Sequence, residues 1–260
     1  MLVVAVNIPL IIGLVTSLKT NADISQNPLR LPTHFTLDHY LRLNSNPQFD
    51  FWKYITNSIA LSTGAMILTA FLGVPATYGI VVLRIGGSRL LALVTSLRVV
   101  PAIMMMLPFF IMFTKAGLID SIWALIFANT ILQIPLVVLI YAAGMRSVPD
   151  SILDAARIDG AGELGVLLRI VLPIIRPSIA SAALLTFVFA WSEYLFGLVL
   201  TTDSAVPLTV GVSNFVTNTG TQWGDLSATV IVSIIPTLLV AIFAQKHLVG
   251  GLTAGAMSGV

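Results

Sequence analysis

Residues 149–177 read PDSILDAARIDGAGELGVLLRIVLPIIRP. The stretch lies between two long apolar runs and carries charges of both signs. A reversal between two membrane spans needs only a few residues. This one has instead the pattern of two short helices joined at a glycine, which suits a loop that docks on something outside the membrane. Pro149 ends the preceding helix, because proline lacks the N–H and clashes with the turn before it. Asp150 or Ser151 is expected to cap a new helix, with Asp150 and Asp154 near its positive end. Ile152, Ala155, Ala156 and Asp159 share one face by their three- and four-residue spacing, and the alanines keep that face low. Gly160 suits a left-handed helix stop. Leu164, Leu167, Leu168 and Val171 then form one apolar stripe. Pro173 and Pro177 redirect the chain into the next span.

The composition around this loop is that of an integral membrane protein. Of 260 residues, 57% are hydrophobic and 9% charged, against about 25% charged in ordinary soluble domains. The mean hydropathy is +0.99. A span needs roughly 20 mostly apolar residues, and six runs qualify, near 2–18, 55–83, 90–113, 122–143, 179–200 and 226–244. The fold class expected is therefore all-α, polytopic, with six transmembrane helices. The second run is long for one span and is expected either to kink at Gly73 and Pro75 or to project its ends from the bilayer. The net charge is +2 and the basic residues are dispersed, so a nucleic-acid partner is excluded. Cysteine is absent, which removes disulfides, thiolate metal sites and thiol nucleophiles.

The expected organisation is a first transmembrane helix at 1–18, an extracytoplasmic loop at 19–54, a transmembrane domain at 55–247 containing the docking loop 144–177, and a tail at 248–260. The first run has neither a basic leader nor a convincing cleavage site, so it is read as a retained span. With both termini cytoplasmic, the inside holds Arg84, Arg89, Arg146, Arg157, Arg169, Arg176 and Lys246. The outside holds Lys19, Arg30, Arg42, Lys53 and Lys115. Discounting the long outer loop strengthens that positive-inside bias. The fifth link, 201–225, carries no Lys or Arg.

Asp154-Ala155-Ala156, Asp159-Gly160-Ala161, Ile170-Val171-Leu172-Pro173 and Pro177 resemble the EAA loop of ABC importer permeases. Two positions depart from that pattern: Asp154 stands for a Glu and Leu167 for a usual Phe. The resemblance extends to Phe35–Tyr40, Asn57-Ser58-Ile59, Phe189–Phe196, Pro207–Gly211 and the tail Gly250–Ala256. Jointly these segments are similar to the carbohydrate-uptake branch, whose members include the smaller six-span permease of the maltose importer. That resemblance implies a type I importer permease fold in a prokaryotic plasma membrane. It implies four kinds of partner: a second homologous permease, a homodimeric cytoplasmic ATPase, an extracytoplasmic solute-binding protein and a sugar solute. The EAA residues, Ile158 among them, would be the coupling contacts, shaped by Pro149, Leu172, Pro173 and Pro177.

No GxxxxGK[ST] occurs in the chain, so it has no Walker A loop to cradle nucleotide phosphates. No cofactor is expected on this chain, and ATP and Mg would belong to the partner ATPase. Glu193 is the first candidate for the solute path, because a carboxylate within a span is costly and usually faces a cavity. Trp191 and Tyr194 flank it and offer aromatic faces suited to sugar rings. Asn129 and Gln133, four apart, are candidates for the same cavity, or for hydrogen bonds between helices. Arg98 is expected to snorkel to the interface, and Met104–Met106 to pack. His34, His39 and His247 have no metal-ligand spacing, so no metal is expected. Competing readings are an importer permease for glycerol-3-phosphate, a polyamine, phosphate or an amino acid, an ion-driven secondary transporter, and a membrane-embedded enzyme. Glu193 has no acidic or basic cluster around it in the sequence, which speaks against the enzyme.

Overall fold

The computed structural model describes residues 2–28, 30–46, 49–218 and 220–256, with side chains omitted at 2–6 and 244–256. Its helices are α1 (Leu2–Ser17), α2 (Asn21–Gln26), α3 (Asp38–Leu43), α4 (Phe51–Val81), α5 (Gly87–Ser96), α6 (Met106–Lys115), α7 (Ile122–Arg146), α8 (Asp150–Ile158), α9 (Glu163–Val166), α10 (Leu172–Ile174), α11 (Arg176–Trp191), α12 (Leu195–Leu200), α13 (Leu208–Gly211) and α14 (Trp223–Ala256). A small antiparallel hairpin, β1 (Val216–Thr217) with β2 (Gly220–Thr221), precedes α14.

Among the described residues three helices are long and apolar enough to cross a membrane: α4, α7 and the 223–243 part of α14. Two bent pairs bring the number to five, Gly87–Val99 with Ala102–Lys115 and Glu163–Ile174 with Arg176–Trp191. The 16-residue α1 is the sixth apolar helix and lies along α14. The bundle centre is α4 packed on α7 and α11. Small residues allow that approach: Ala65, Ala124 and Ala128 are fully buried. A Cβ on Gly73 would press on Val137 and Tyr141. Without a hydrophobic drive between helices in lipid, such close backbone packing supplies the association.

The second run is one continuous helix, α4, which passes through Gly73 and Pro75 over 31 residues. At 1.5 Å per residue that is about 46 Å, so its ends project beyond a core of about 30 Å. Several elements differ from the sequence expectation. The third span is not one helix but turns by 94°. Pro101 has no N–H to donate and pushes Val100 out of the helical region, to ψ 119°. The fifth span is also interrupted, at 192–194 between α11 and α12. The glycine-rich tail is helical, α14 continuing to Ala256, and residues 257–260 lie outside those described.

Candidate functional site

The docking loop is built on a buried footing. Its first helix, α8, starts at Asp150 behind an extended Pro149, and no side chain caps it. Asp150 is therefore the first helical residue rather than the cap, placed there by the fixed proline backbone ahead of it. Leu153 alone among α8 residues is buried, and Ala156 packs beside it on a core of Val74, Tyr78, Tyr141, Val166 and Val171. The face read from spacing is thus split. Ile152, Ala155 and Asp159 are exposed, as are Asp154 and Gly160, while Ala156 and Ala161 are half-buried. Ile158 is 85% exposed. Ile152 on the same helix and Leu164 just beyond it are exposed as well, so the outer side of the loop carries apolar groups among its charges.

Gly160 ends α8 at φ +85°, with nothing within 4 Å of where a Cβ would sit. The glycine is required by backbone conformation, not by space. Its N–H donates to the Arg157 carbonyl and that of Ala161 to the Ala156 carbonyl, closing the last turn. Arg157 then bridges the two halves of the loop: its guanidinium lies 3.2 Å from Asp154 and 2.9 Å from Glu163. The other Glu163 oxygen accepts from the Tyr78 hydroxyl on α4. The Arg157 guanidinium first, and the Tyr78 hydroxyl second, hold the Glu163 carboxyl below its usual range. Sequence reading singled out none of these three residues. The four-residue stripe also divides, Leu167 and Val171 buried, Leu164 and Leu168 exposed. The cause is a π-turn over Leu167–Val171, ahead of Pro173. The chain then bends 78° at buried Ile175, between Leu172-Pro173 and Pro177, the second residue of α11.

The breaks in the third and fifth spans line a cavity of about 420 Å³ together with α7. Arg98, Gln133, Phe189 and Glu193 face it. Arg98 does not snorkel away. Its Nη1 donates to Gln133 Oε1 at 3.1 Å, and its guanidinium lies 5.2 Å from the Phe189 ring centroid. The kink at Pro101 directs it inward, which no local pattern announces. Glu193 sits in the non-helical gap, where Oε1 accepts from the Phe196 N–H and starts α12. Its carbonyl accepts from the Thr209 hydroxyl. Irregular backbone at membrane depth is tolerated where it lines a cavity. Trp191 is buried and stacks on Phe187 at 11°. With Tyr194 and Thr209 it lines a second cavity of about 400 Å³. Asn129 is buried, its amide donating to the Leu125 carbonyl, and it lines neither cavity. Of the five residues read from sequence, Gln133 and Glu193 meet in one cavity and Trp191 and Tyr194 in the other.

The opposite end of the bundle is held by polar clamps. Asp120, at φ +58°, accepts from the N–H groups of Thr202, Asp203, Ser204 and Ala205. Burial works to raise its carboxyl, but those four donors hold it well below the usual range. Asn57 donates to the Ser204 and Val206 carbonyls. His39 is 1% exposed, its Nδ1 2.6 Å from Asp225 and its Nε2 2.8 Å from the Lys19 carbonyl. Among the described residues no three His, Asp or Glu side chains gather to hold a metal ion.

The sequence profile of the family described as "binding-protein-dependent transport system inner membrane component" matches residues 70–253. The chain is 31% identical over 254 residues to the sulfoquinovosyl glycerol transport system permease protein of Agrobacterium fabrum, covering 96% of this chain and 88% of that one. It is 33% identical over 227 residues to the trehalose/maltose transport system permease protein of Thermococcus litoralis, covering 86% and 82%. Its fold is similar to a chain of a bacterial ABC transporter involved in the import of the acidic polysaccharide alginate. The TM-score there is 0.76 at 22% identity, over 94% of this chain and 91% of that one. A chain of the MetNI methionine ABC transporter in an inward-facing conformation gives 0.64 at 16% identity, over 77% and 95%.

Proposed function

The chain belongs to the family of binding-protein-dependent transport system inner membrane components, and from that premise we propose that it forms half of a solute path for a sugar or sugar-like molecule, driven by a separate ATPase. It is a membrane-embedded, non-catalytic transport subunit. The full assembly in this reading adds a second homologous permease, a homodimeric ATPase carrying the ATP and Mg²⁺, and an extracytoplasmic solute-binding protein. The relatives named for sulfoquinovosyl glycerol and trehalose/maltose support the sugar. The α8 end then faces the cytoplasm of a prokaryotic cell, with both termini on that side.

The observation that carries the coupling role is α8 itself. It presents exposed Asp154, Ala155, Ile158 and Asp159 outward, while Leu153 and Ala156 seat it on the core that holds Tyr78 and Tyr141. A partner that grips Ile158 and moves on closing its nucleotide sites would carry α8 with it. The Arg157–Glu163–Tyr78 chain passes that displacement into α4, and the corner at Ile175 passes it into α11. The far end of α11 is the Glu193 gap. The cavity there offers guanidinium and amide donors with a carboxylate acceptor, the mixture that sugar hydroxyls need. Trp191 and Tyr194 border the neighbouring space. Asn129, buried beside α4, is assigned to packing between helices.

Affinity purification of the chain from its native membrane in mild detergent, with mass spectrometry of the co-purifying proteins, tests this. Recovery of an ATPase, a second permease and a solute-binding protein is expected, and the binding protein should bind a sugar. Recovery of the chain alone, with uptake that follows an ion gradient rather than ATP, would overturn it.

A further inference from the structure

We propose that this subunit carries a binding site for an anionic phospholipid headgroup at the α8 end of the bundle, beside the coupling loop and separate from the solute path. A cavity of about 250 Å³ opens where α4 and α7 end and α5 begins. Arg84 and Arg146 stand on its rim with Gly87 and Ser88, over an apolar floor that includes Ile80 and Leu91. Those floor residues belong to a buried cluster with Val138 and Ala142, so the floor is rigid.

The polar groups all favour an anion. No carboxylate lies within ion-pair distance of Arg146 among the described residues. Arg84 meets only Asp150, at 3.7 Å, both side chains being 80% exposed. Such an exposed, long pair contributes little and yields readily to a better acceptor. The ten-residue α5 starts behind Gly86, at φ +69°, which has no side chain to accept from the first-turn N–H groups. Those donors have no side-chain cap, and Gly87 and Ser88 of that first turn line the cavity. Two guanidiniums and a bare helix start match the oxygens of a phosphodiester.

Lipid rather than free phosphate is indicated by the surroundings. Leu83 and Ile85, on either side of Arg84, are exposed. They lie just past the end of α4, at the level of the headgroup layer, where a basic pocket between helices captures headgroups. A phosphodiester here would contact the turn between α4 and α5 and, through Arg84, the first residue of α8. Its retention would thus bear on how firmly the coupling loop is held.

The test is native mass spectrometry of the assembled transporter after exchange into mixed micelles of phosphatidylglycerol and phosphatidylethanolamine. Wild type should retain phosphatidylglycerol over phosphatidylethanolamine by about tenfold, and Arg84→Gln or Arg146→Gln should cut that preference about threefold or more. Arg146→Lys should keep most of it, and Arg30→Gln at the other end should change nothing. Added inorganic phosphate at constant ionic strength should leave the lipid in place. No preference in wild type, which needs no variant to fold, would overturn the proposal. So would a preference unchanged in both Gln variants, equal loss in the Lys and Gln variants, or displacement by phosphate, which would assign the site to the free anion.

Discussion

The Tyr78 hydroxyl donates to Glu163 across 85 residues of sequence, joining the coupling loop to the most central helix of the bundle. Glu163 also takes the Arg157 guanidinium, so one carboxylate holds both ends of α8's exit turn. Tyr78→Phe removes only the link to α4. It should cost about 1 kcal/mol of stability, yet lower solute-stimulated uptake several-fold while basal ATP hydrolysis persists. Parallel uptake and ATPase assays in proteoliposomes check this; unchanged coupling would show that the loop moves α4 without the bond.

Acid should loosen the same junction. The Glu163 carboxyl titrates below its ordinary value of 4.5 in the fold, so its contribution is present above that value and is lost as pH falls through the lowered one. Hydrogen exchange at Gly160–Glu163, corrected for intrinsic rate, should stay flat down to pH 4.5 and rise beneath it. Glu163→Gln should show the faster exchange already at neutral pH.

The exposed Ile158 and the left-handed Gly160 separate docking from loop shape. Ile158→Asp leaves the fold intact but should abolish co-purification of the ATPase. Gly160→Ala introduces a Cβ at φ +85°, at a cost of about 1–2 kcal/mol. It should weaken co-purification only partly, because the space around it is open.

Arg98 and Glu193 line one cavity, so the two should fail alike. Arg98→Gln and Glu193→Gln are each expected to reduce uptake about tenfold or more, since each removes one charged group from the cavity proposed as the solute path. Trp191→Phe, whose ring stacks on Phe187, should reduce it less. Radiolabelled uptake at saturating binding protein gives the ranking. Near-silent Arg98→Gln beside a damaging Glu193→Gln would remove the guanidinium from the path.

Gly224 packs so closely under His39 that any Cβ there overlaps the imidazole ring. Gly224→Ala should therefore cost about 1–3 kcal/mol and displace His39 from Asp225. A thermal-shift measurement on the detergent-solubilised complex checks it, and His39→Ala should lower the melting temperature comparably.

The loop and the six apolar segments were legible because their signals are local: prolines, a glycine after a short polar helix, and runs of spanning length. What escaped depends on where distant segments meet. Pro101 was visible in the sequence, but a bend of 94° bringing Arg98 to Gln133 follows from packing on α7. Arg157 and Glu163 lie six apart, a spacing with no helical meaning, and become partners only because Gly160 turns the chain. Glu193 was found by its cost in a span, whereas the gap that holds it, capped by the carboxylate itself, was not. His39 carries no pattern of its own, and its partner Asp225 is 186 residues away.

That separation sets an order of events during synthesis. The α1 helix lies along α14, and the end of α1 is pinned through the Lys19 carbonyl, His39 and Asp225. Every other described helix leaves the ribosome before α14. Until then α1 lacks the packing surface of α14 and the Asp225 end of its anchor, although Ser17–Tyr40 and Lys19–His39 already hold its end. Lesions at Asp225 or Gly224 should consequently appear in cells as low abundance of the whole chain, cleared before it ever meets its partners, rather than as an assembled transporter that runs slowly.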